Sequence, residues 1–269
     1  MHHNNQTLPS DLKYVCSLGL CHGIVRTLAL RHDDAAVVCY AVAATGTRLD
    51  AERLAGDLRS YAAISHPHLL PIISVRLNAA GTVFVIAPYT GNPEGLVTLA
   101  DLSSAKAGSA SPFEVERAAS QLLEAAATAH ASGLYHGPIE AGDVLVDPHG
   151  SLLVELYGAS RAMRGLDCTS PRFVRDEIAS IASLAYHLLT GSDAAEPRVR
   201  ASRLVRRLDR AWDAWFDDAL DPSGGFDSAE AALEALPSRG VVETRPAAAE
   251  RVISTLRRVV GSETTDKTF

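Results

Sequence analysis

The side chains of this sequence best equipped for chemistry lie between His136 and Glu155. His136 is an imidazole that could serve as a general base, and Glu140, Asp143 and Glu155 are carboxylates that follow it. Asp143 and Glu155 could share a cation, but alternation along a strand turns Glu155 away from the face that Leu156 presents, and one carboxylate seldom holds magnesium without phosphates. No metal site and no cofactor are expected. Cys16, Cys21, Cys39 and Cys168 contain no CxxC pair, and three of them sit in apolar runs, the setting of buried free thiols in a reducing compartment. Arg203, Arg206, Arg207 and Arg210 recur at helical spacing and could face anionic lipid or a phosphorylated partner. The competing reading is a solvated face opposite Leu204, Leu208, Trp212 and Trp215. Near the end of the sequence, Thr264, Thr265 and Thr268 offer hydroxyls among acidic neighbours in a polar segment.

The elements that must position these groups fall into two halves. Tyr14 to Leu20, Ile24 to Arg31 and Ala35 to Ala43 are apolar, β-branched runs separated by turn residues, so three meandering strands are expected. Asp50 can cap a helix carrying Leu54, Leu58, Tyr61 and Ile64, which His66-Pro67 stops. Two further strands, Pro71 to Leu77 and Thr82 to Ala87, flank the turn Asn78 to Gly81. Beyond residue 90 the pattern turns helical. Ser111-Pro112-Phe113-Glu114 is a capping box that opens a long helix, and Asp143 to Val146 pairs with Leu152 to Leu156 around Pro148-His149-Gly150. Helical periodicity then covers Asp176 to Leu189, Ser202 to Leu220, Ser228 to Leu236 and Pro246 to Val260, and Gly261 to Phe269 reads as a mobile tail.

Composition narrows the class of function. The 269 residues are 47% hydrophobic and 21% charged, the balance of a folded globular chain, and no run approaches the roughly eighteen apolar residues of a membrane span. A formal net charge of −7 argues against affinity gathered from nucleic-acid phosphates. All but three of the 25 basic residues are arginine, a bias of GC-rich genomes such as those of actinobacteria. The beginning reads as neither a signal nor a transit peptide, so a cytoplasmic location is expected.

A β lobe with one helix, a hinge, a helical lobe and a hairpin at the junction resembles the layout of a protein kinase. Ser65-His66-Pro67-His68-Leu69-Leu70 is similar to the turn after helix C, and Ala87-Pro88-Tyr89-Thr90-Gly91 to a hinge. Leu122-Leu123 through Ala129-His130-Ala131-Ser132-Gly133-Leu134-Tyr135-His136-Gly137 resembles the helix E to catalytic-loop passage of bacterial serine/threonine kinases. Asp176-Glu177-Ile178 through Thr190-Gly191 looks like helix F, and Leu220-Asp221-Pro222 followed by Phe226-Asp227-Ser228 like the segment before the final helix. The resemblance implies an α+β, bilobal kinase-like fold with an N-lobe over 11–90, a C-lobe over 91–240, a terminal helix over 241–260 and a tail over 261–269.

Aligned on His136, the family's catalytic aspartate falls on Pro138, its catalytic-loop lysine on Glu140, its metal-binding asparagine on Asp143, and its Asp-Phe-Gly triplet on Leu156-Tyr157-Gly158. The strand-three lysine falls near Tyr40, its helix C partner on Asp57, and the glycine-rich loop on Leu18-Gly19-Leu20-Cys21-His22-Gly23-Ile24. Phosphoryl transfer needs a carboxylate to orient the nucleophile and metal ions to neutralise the phosphates, and Pro138 and Leu156 supply neither. Only 20 positions separate Leu156 from Asp176, so most of the activation segment is missing too. The resemblance therefore implies a pseudokinase. In it His136 packs under the loop and hydrogen-bonds backbone, and Asp176 caps helix F and holds the catalytic loop.

Two alternatives are a nucleotide sensor using hinge contacts around Ala87 to Tyr89, and an atypical kinase with displaced groups that would have to use Arg26, Arg48 or Arg59. The chain further resembles the intracellular kinase-homology domain of actinobacterial MviN/MurJ-type lipid II flippases, which implies tethering to a membrane protein and a role in peptidoglycan synthesis. The Glu263-Thr264-Thr265 core resembles tail motifs that serine/threonine kinases phosphorylate on forkhead-associated regulators. That likeness implies an upstream kinase and a forkhead-associated domain as partners, with Thr265 the first site, Thr264 the second and Thr268 the third.

Overall fold

The computed structural model describes residues 8–43, 46–106, 110–195, 197–221 and 223–237. Five antiparallel strands form one sheet: β1 (Leu12–Cys21), β2 (Ile24–Arg31), β3 (Ala36–Ala43), β4 (Ser74–Leu77) and β5 (Thr82–Pro88), in the order β1-β2-β3-β5-β4. Apolar, β-branched runs put Val38, Tyr40, Val83 and Val85 on one face, where they pack with Ala51, Ala55 and Leu58 of α1 (Arg48–Tyr61). The cap of α1 is Thr47, not Asp50 as expected from sequence. Asp50 is the reciprocal partner three residues on, its carboxylate accepting from the Thr47 amide at 2.8 Å. The turn before β5 is held by Asn78, whose side chain accepts from the Thr82 amide at 2.9 Å.

The second half is built on α3 (Pro112–Ala131), opened by the Ser111/Glu114 capping box, and α5 (Phe173–Thr190). Their apolar faces meet along Leu122, Leu123, Ala126, Ile178, Ile181 and Ala185. Two shorter helices, α2 (Leu99–Lys106) and α4 (Ala159–Met163), were not legible as helical patterns. The small hairpin β6 (Val144–Val146) and β7 (Leu152–Val154) sits between the halves. The turn after α1 is sewn to it: the Leu70 amide donates to the Val154 carbonyl at 3.0 Å, and the Val154 amide to the His68 carbonyl at 2.9 Å.

The expected helix from Ser202 to Leu220 is broken. It consists of α6 (Ala201–Leu204) and α7 (Ala211–Ala219), with Arg207 between them at φ 62. The four arginines therefore do not share one helical stripe, and Leu204 is 47% exposed where it was expected on the buried face. Leu208, Trp212, Trp215 and Phe216 are buried, and the Trp215 indole donates to the Ala232 carbonyl of α8 (Ala229–Glu234) at 2.9 Å. No helix among the described residues is long and apolar enough to cross a membrane. The expected helix over Pro246 to Val260 and the tail threonines lie outside the described residues.

Candidate functional site

Side chains of the chain itself occupy the cleft between the sheet and the helical half. The β2–β3 register sets Arg26 directly opposite Tyr40, so both project from the same face of the sheet. Both reach Glu155, one residue past β7. The Tyr40 hydroxyl donates to Glu155 Oε1 at 2.6 Å, and Arg26 Nη1 donates to the two carboxylate oxygens at 3.3 and 3.1 Å. Tyr40 and Glu155 are buried. Burial, and then the Glu155 charge, push the Tyr40 hydroxyl well above the usual tyrosine range, so it remains a neutral donor.

Strand alternation places Glu155 on the face opposite Leu156, away from the cleft. The structure corrects this, because β7 ends at Val154 and the chain leaves the strand through Leu156 at φ 53 and Tyr157 at φ 22. Leu156 is buried in the same apolar cluster as Tyr40, while Tyr157 joins the core of the helical half.

At the mouth of the cleft, β1 and β2 are joined by a two-residue turn, His22-Gly23, with φ of 48 and 83. Both angles are those of a type I′ hairpin, whose twist suits antiparallel strands and for which glycine is favoured. The tight turn aims His22 at the helical half. His22 Nε2 contacts Asp143 Oδ1. The second Asp143 oxygen accepts from the Glu140 amide at 2.8 Å, fixing the carboxylate at the end of the turn Ala141–Asp143. Cys21 lies beside this pair, and its thiol is pushed up to about 12 by burial and then by the Glu155 charge.

A second polar centre underlies the loop from Tyr135 to Ile139. Glu177 Oε1 accepts from the amides of His136 at 2.6 Å and Gly137 at 2.9 Å. Its Oε2 takes the Tyr157 hydroxyl and His130 Nε2, the latter at 2.9 Å. Asp176, expected in this role, is exposed; the neighbouring carboxylate performs it. Phe173, Glu177 and Ile181 are spaced by four and all buried, so the sequence did carry a signal: Glu177 lies on the apolar stripe of α5. His136 is 3% exposed, as expected of a packed histidine, but its ring nitrogens have no hydrogen-bond partner. Burial lowers its pKa, with Asp143, Glu177 and the nearby Gly137 and Pro138 backbone opposing, so the ring is held neutral.

The remaining expected positions are peripheral. Asp57 is exposed on α1, and the Tyr40 hydroxyl goes to Glu155 instead; Pro138 and Glu140 are exposed at the loop surface. The segment after Gly158 is held by α4 and by Arg161, whose guanidinium lies 4.5 Å from the Phe173 ring centroid and whose Nε donates to the Asp167 carbonyl at 2.7 Å. Packing requires glycine at position 158, since a Cβ on Gly158 would stand 2.5 Å from the Tyr135 carbonyl oxygen. Among these groups, the sequence missed Glu155 as a cleft residue, Glu177 as the loop anchor, and the meeting of Cys21, His22 and Asp143.

No family model and no curated protein matches the chain. Among solved structures, the kinase domain of Mycobacterium tuberculosis PknI and a point mutant of that domain are similar to it. The mutant gives a TM-score of 0.66 at 18% identity and the unmutated domain 0.65 at 17%, each alignment covering 88% of this chain and 98% of the other. That likeness, with the β-rich first half and helical second half, makes the architecture of this chain the bilobal protein-kinase fold.

Proposed function

We propose that this chain is a pseudokinase: a kinase-shaped regulatory scaffold that binds partners and transfers no phosphate. The observation that carries the reading is the set of side-chain contacts that bridge the cleft. Tyr40 and Arg26 converge on Glu155 where a phosphate-binding lysine would be needed, and His22 meets Asp143 where metal would be bound. The buried Leu156 and the exposed Pro138 supply no carboxylate at the two positions that need one.

Thermal unfolding with ATP and magnesium tests this. A ligand at one hundred times its dissociation constant stabilises a fold by about 2.7 kcal/mol, which for a domain of this size is roughly 5–10 °C. No shift is expected, and no radiolabel transfer to the protein itself or to generic substrates. A shift without transfer would replace this reading with the nucleotide sensor, and transfer abolished by cleft substitutions would replace it with the atypical kinase.

The proposal extends to the tail. An upstream serine/threonine kinase phosphorylates Thr265, or failing that Thr264 or Thr268, and the phosphothreonine recruits a forkhead-associated domain. Support comes from sequence alone: hydroxyls among Glu263, Asp266 and other polar residues, and the likeness of Glu263-Thr264-Thr265 to known tail motifs. A phosphate adds roughly −1.5 to −2 charge and three acceptor oxygens that arginine and serine donors of a reader engage. In this reading the domain stands at the cytoplasmic face, attached to a lipid II flippase, and gates peptidoglycan synthesis. Mass spectrometry after treatment with a membrane serine/threonine kinase should place phosphate on a tail threonine, and Thr265→Ala should abolish reader binding. Phosphorylation that avoids all three threonines, or binding indifferent to it, would leave a scaffold without this switch.

A further inference from the structure

We propose that Cys21, His22 and Asp143 form a site for a thiophilic divalent cation, zinc fitting best, which clasps the tip of the β1–β2 hairpin to the helical half of the molecule. The site uses the same His22–Asp143 contact that bridges the cleft, with a transition-metal ion taking the place of the direct contact and no nucleotide needed to hold it.

The Cys21 thiol, a ring nitrogen of His22 and a carboxylate oxygen of Asp143 all lie within 4.8 Å of one another. Ligand atoms around a tetrahedral zinc, bonded at about 2.0–2.3 Å, are roughly 3–4 Å apart, so the His22 and Asp143 atoms, now in direct contact, separate by about an ångström to admit the cation while the Cys21 thiol turns toward it. Each ligand is already placed by backbone. Cys21 ends β1, His22 is fixed in the following tight turn, and Asp143 is oriented through its other oxygen by the Glu140 amide. That last contact is the kind of outer-shell hydrogen bond that orients metal-binding carboxylates. Local charge favours a cation as well. Two buried carboxylates, Asp143 and Glu155, flank the thiol, and Arg26 is the one arginine paired with either of them among the described residues.

The ligand chemistry selects the metal. Sulfur, imidazole nitrogen and one carboxylate suit zinc or cobalt, whereas magnesium demands oxygen ligands in octahedral geometry. On binding, the S–H bond breaks, a sulfur–metal bond forms and the proton passes to solvent. Three protein ligands leave a fourth position for water, as in open rather than closed zinc sites.

Cobalt titration of the chelator-stripped full chain tests the site, carried out on a background with His2→Ala and His3→Ala to remove the adjacent terminal histidines. One equivalent should produce a thiolate-to-cobalt charge-transfer band that zinc displaces. Cys21→Ser should abolish the band, and Cys16→Ser should leave it intact. Because His22 is partly exposed on a turn, His22→Gln is expected to fold normally and to weaken zinc binding against a chromophoric chelator by at least the 10–100-fold that loss of an outer-shell partner costs. Absence of the band, a band that survives Cys21→Ser, or unchanged affinity in a folded His22→Gln variant would overturn the proposal.

Discussion

Glu177→Ala is expected to lower the stability of this protein by about 3–5 kcal/mol, the range for removing one member of a buried charged network. Two loop amides, the Tyr157 hydroxyl and His130 Nε2 all converge on this one carboxylate, which is fully buried. Truncation leaves the His136 and Gly137 amides without their acceptor in a site closed to water, and each such orphan costs about 1–3 kcal/mol. It also releases the tyrosine that anchors the segment after Leu156 to the helical core. The comparison variant is Asp176→Ala, one residue away but exposed, which should stay within about 0.5 kcal/mol of the parent. Urea unfolding followed by tryptophan fluorescence reads both, since Trp212 and Trp215 are buried in the same lobe. Equal effects of the two variants, or a Glu177→Ala loss below about 1 kcal/mol, would mean that the loop is held by its own packing.

The contrast between those neighbouring carboxylates shows where sequence reading succeeds. Signals written in a few adjacent residues were legible: β2 runs Ile24–Arg31 as expected, and the Ser111/Glu114 capping box opens α3 where its spacing places it. The order of elements was legible too, because alternating and 3.6-residue patterns record which face is buried. Glu177 was within reach of the same logic, since it shares a stripe with Phe173 and Ile181, but resemblance favoured Asp176. Arg207 was not. Its left-handed backbone breaks a helix without a glycine or proline to announce it, and the interruption goes with contacts distant in sequence, the burial of Leu208 and Trp212 and the Ser202 amide donating to Asp213 at 3.0 Å.

The cleft was harder still, because its partners are 115 to 129 positions apart. Sequence identified Tyr40 and Leu156 as replacements for charged groups and so expected a loss. What it could not convey is that Glu155, Arg26 and Tyr40 form a network across the cleft, because this depends on the β2–β3 register and on the chain leaving β7 after Val154. Buried polar surface in a cleft must be satisfied either by a ligand or by the protein's own side chains. Here the protein satisfies much of that surface itself.

Glu155→Ala should accordingly be the most costly single change in the cleft, about 3 kcal/mol, second only to Glu177→Ala in the chain's other polar centre. Arg26 is 14% exposed, so water repays part of its lost partner, which sets the expectation near the lower end for breaking a buried pair. Tyr40→Phe removes one neutral donor to a charged acceptor and should cost less, about 1.5 kcal/mol. The two losses should not add, since both act through the same carboxylate. The double variant is expected to fall short of the sum by at least about 0.5 kcal/mol, measurable as a coupling energy in guanidinium titrations. An apolar replacement of the whole set, Arg26→Met and Tyr40→Phe with Glu155→Leu, should recover most of the Glu155→Ala loss, because it leaves neither a charge nor the Tyr40 hydroxyl buried without a partner. If Glu155→Ala instead behaves as a surface change, below about 0.5 kcal/mol, the contacts across the cleft contribute little to closure. The apolar cluster of Leu156, Leu145, Leu153 and Met163 with the sheet would then be what holds the two lobes together.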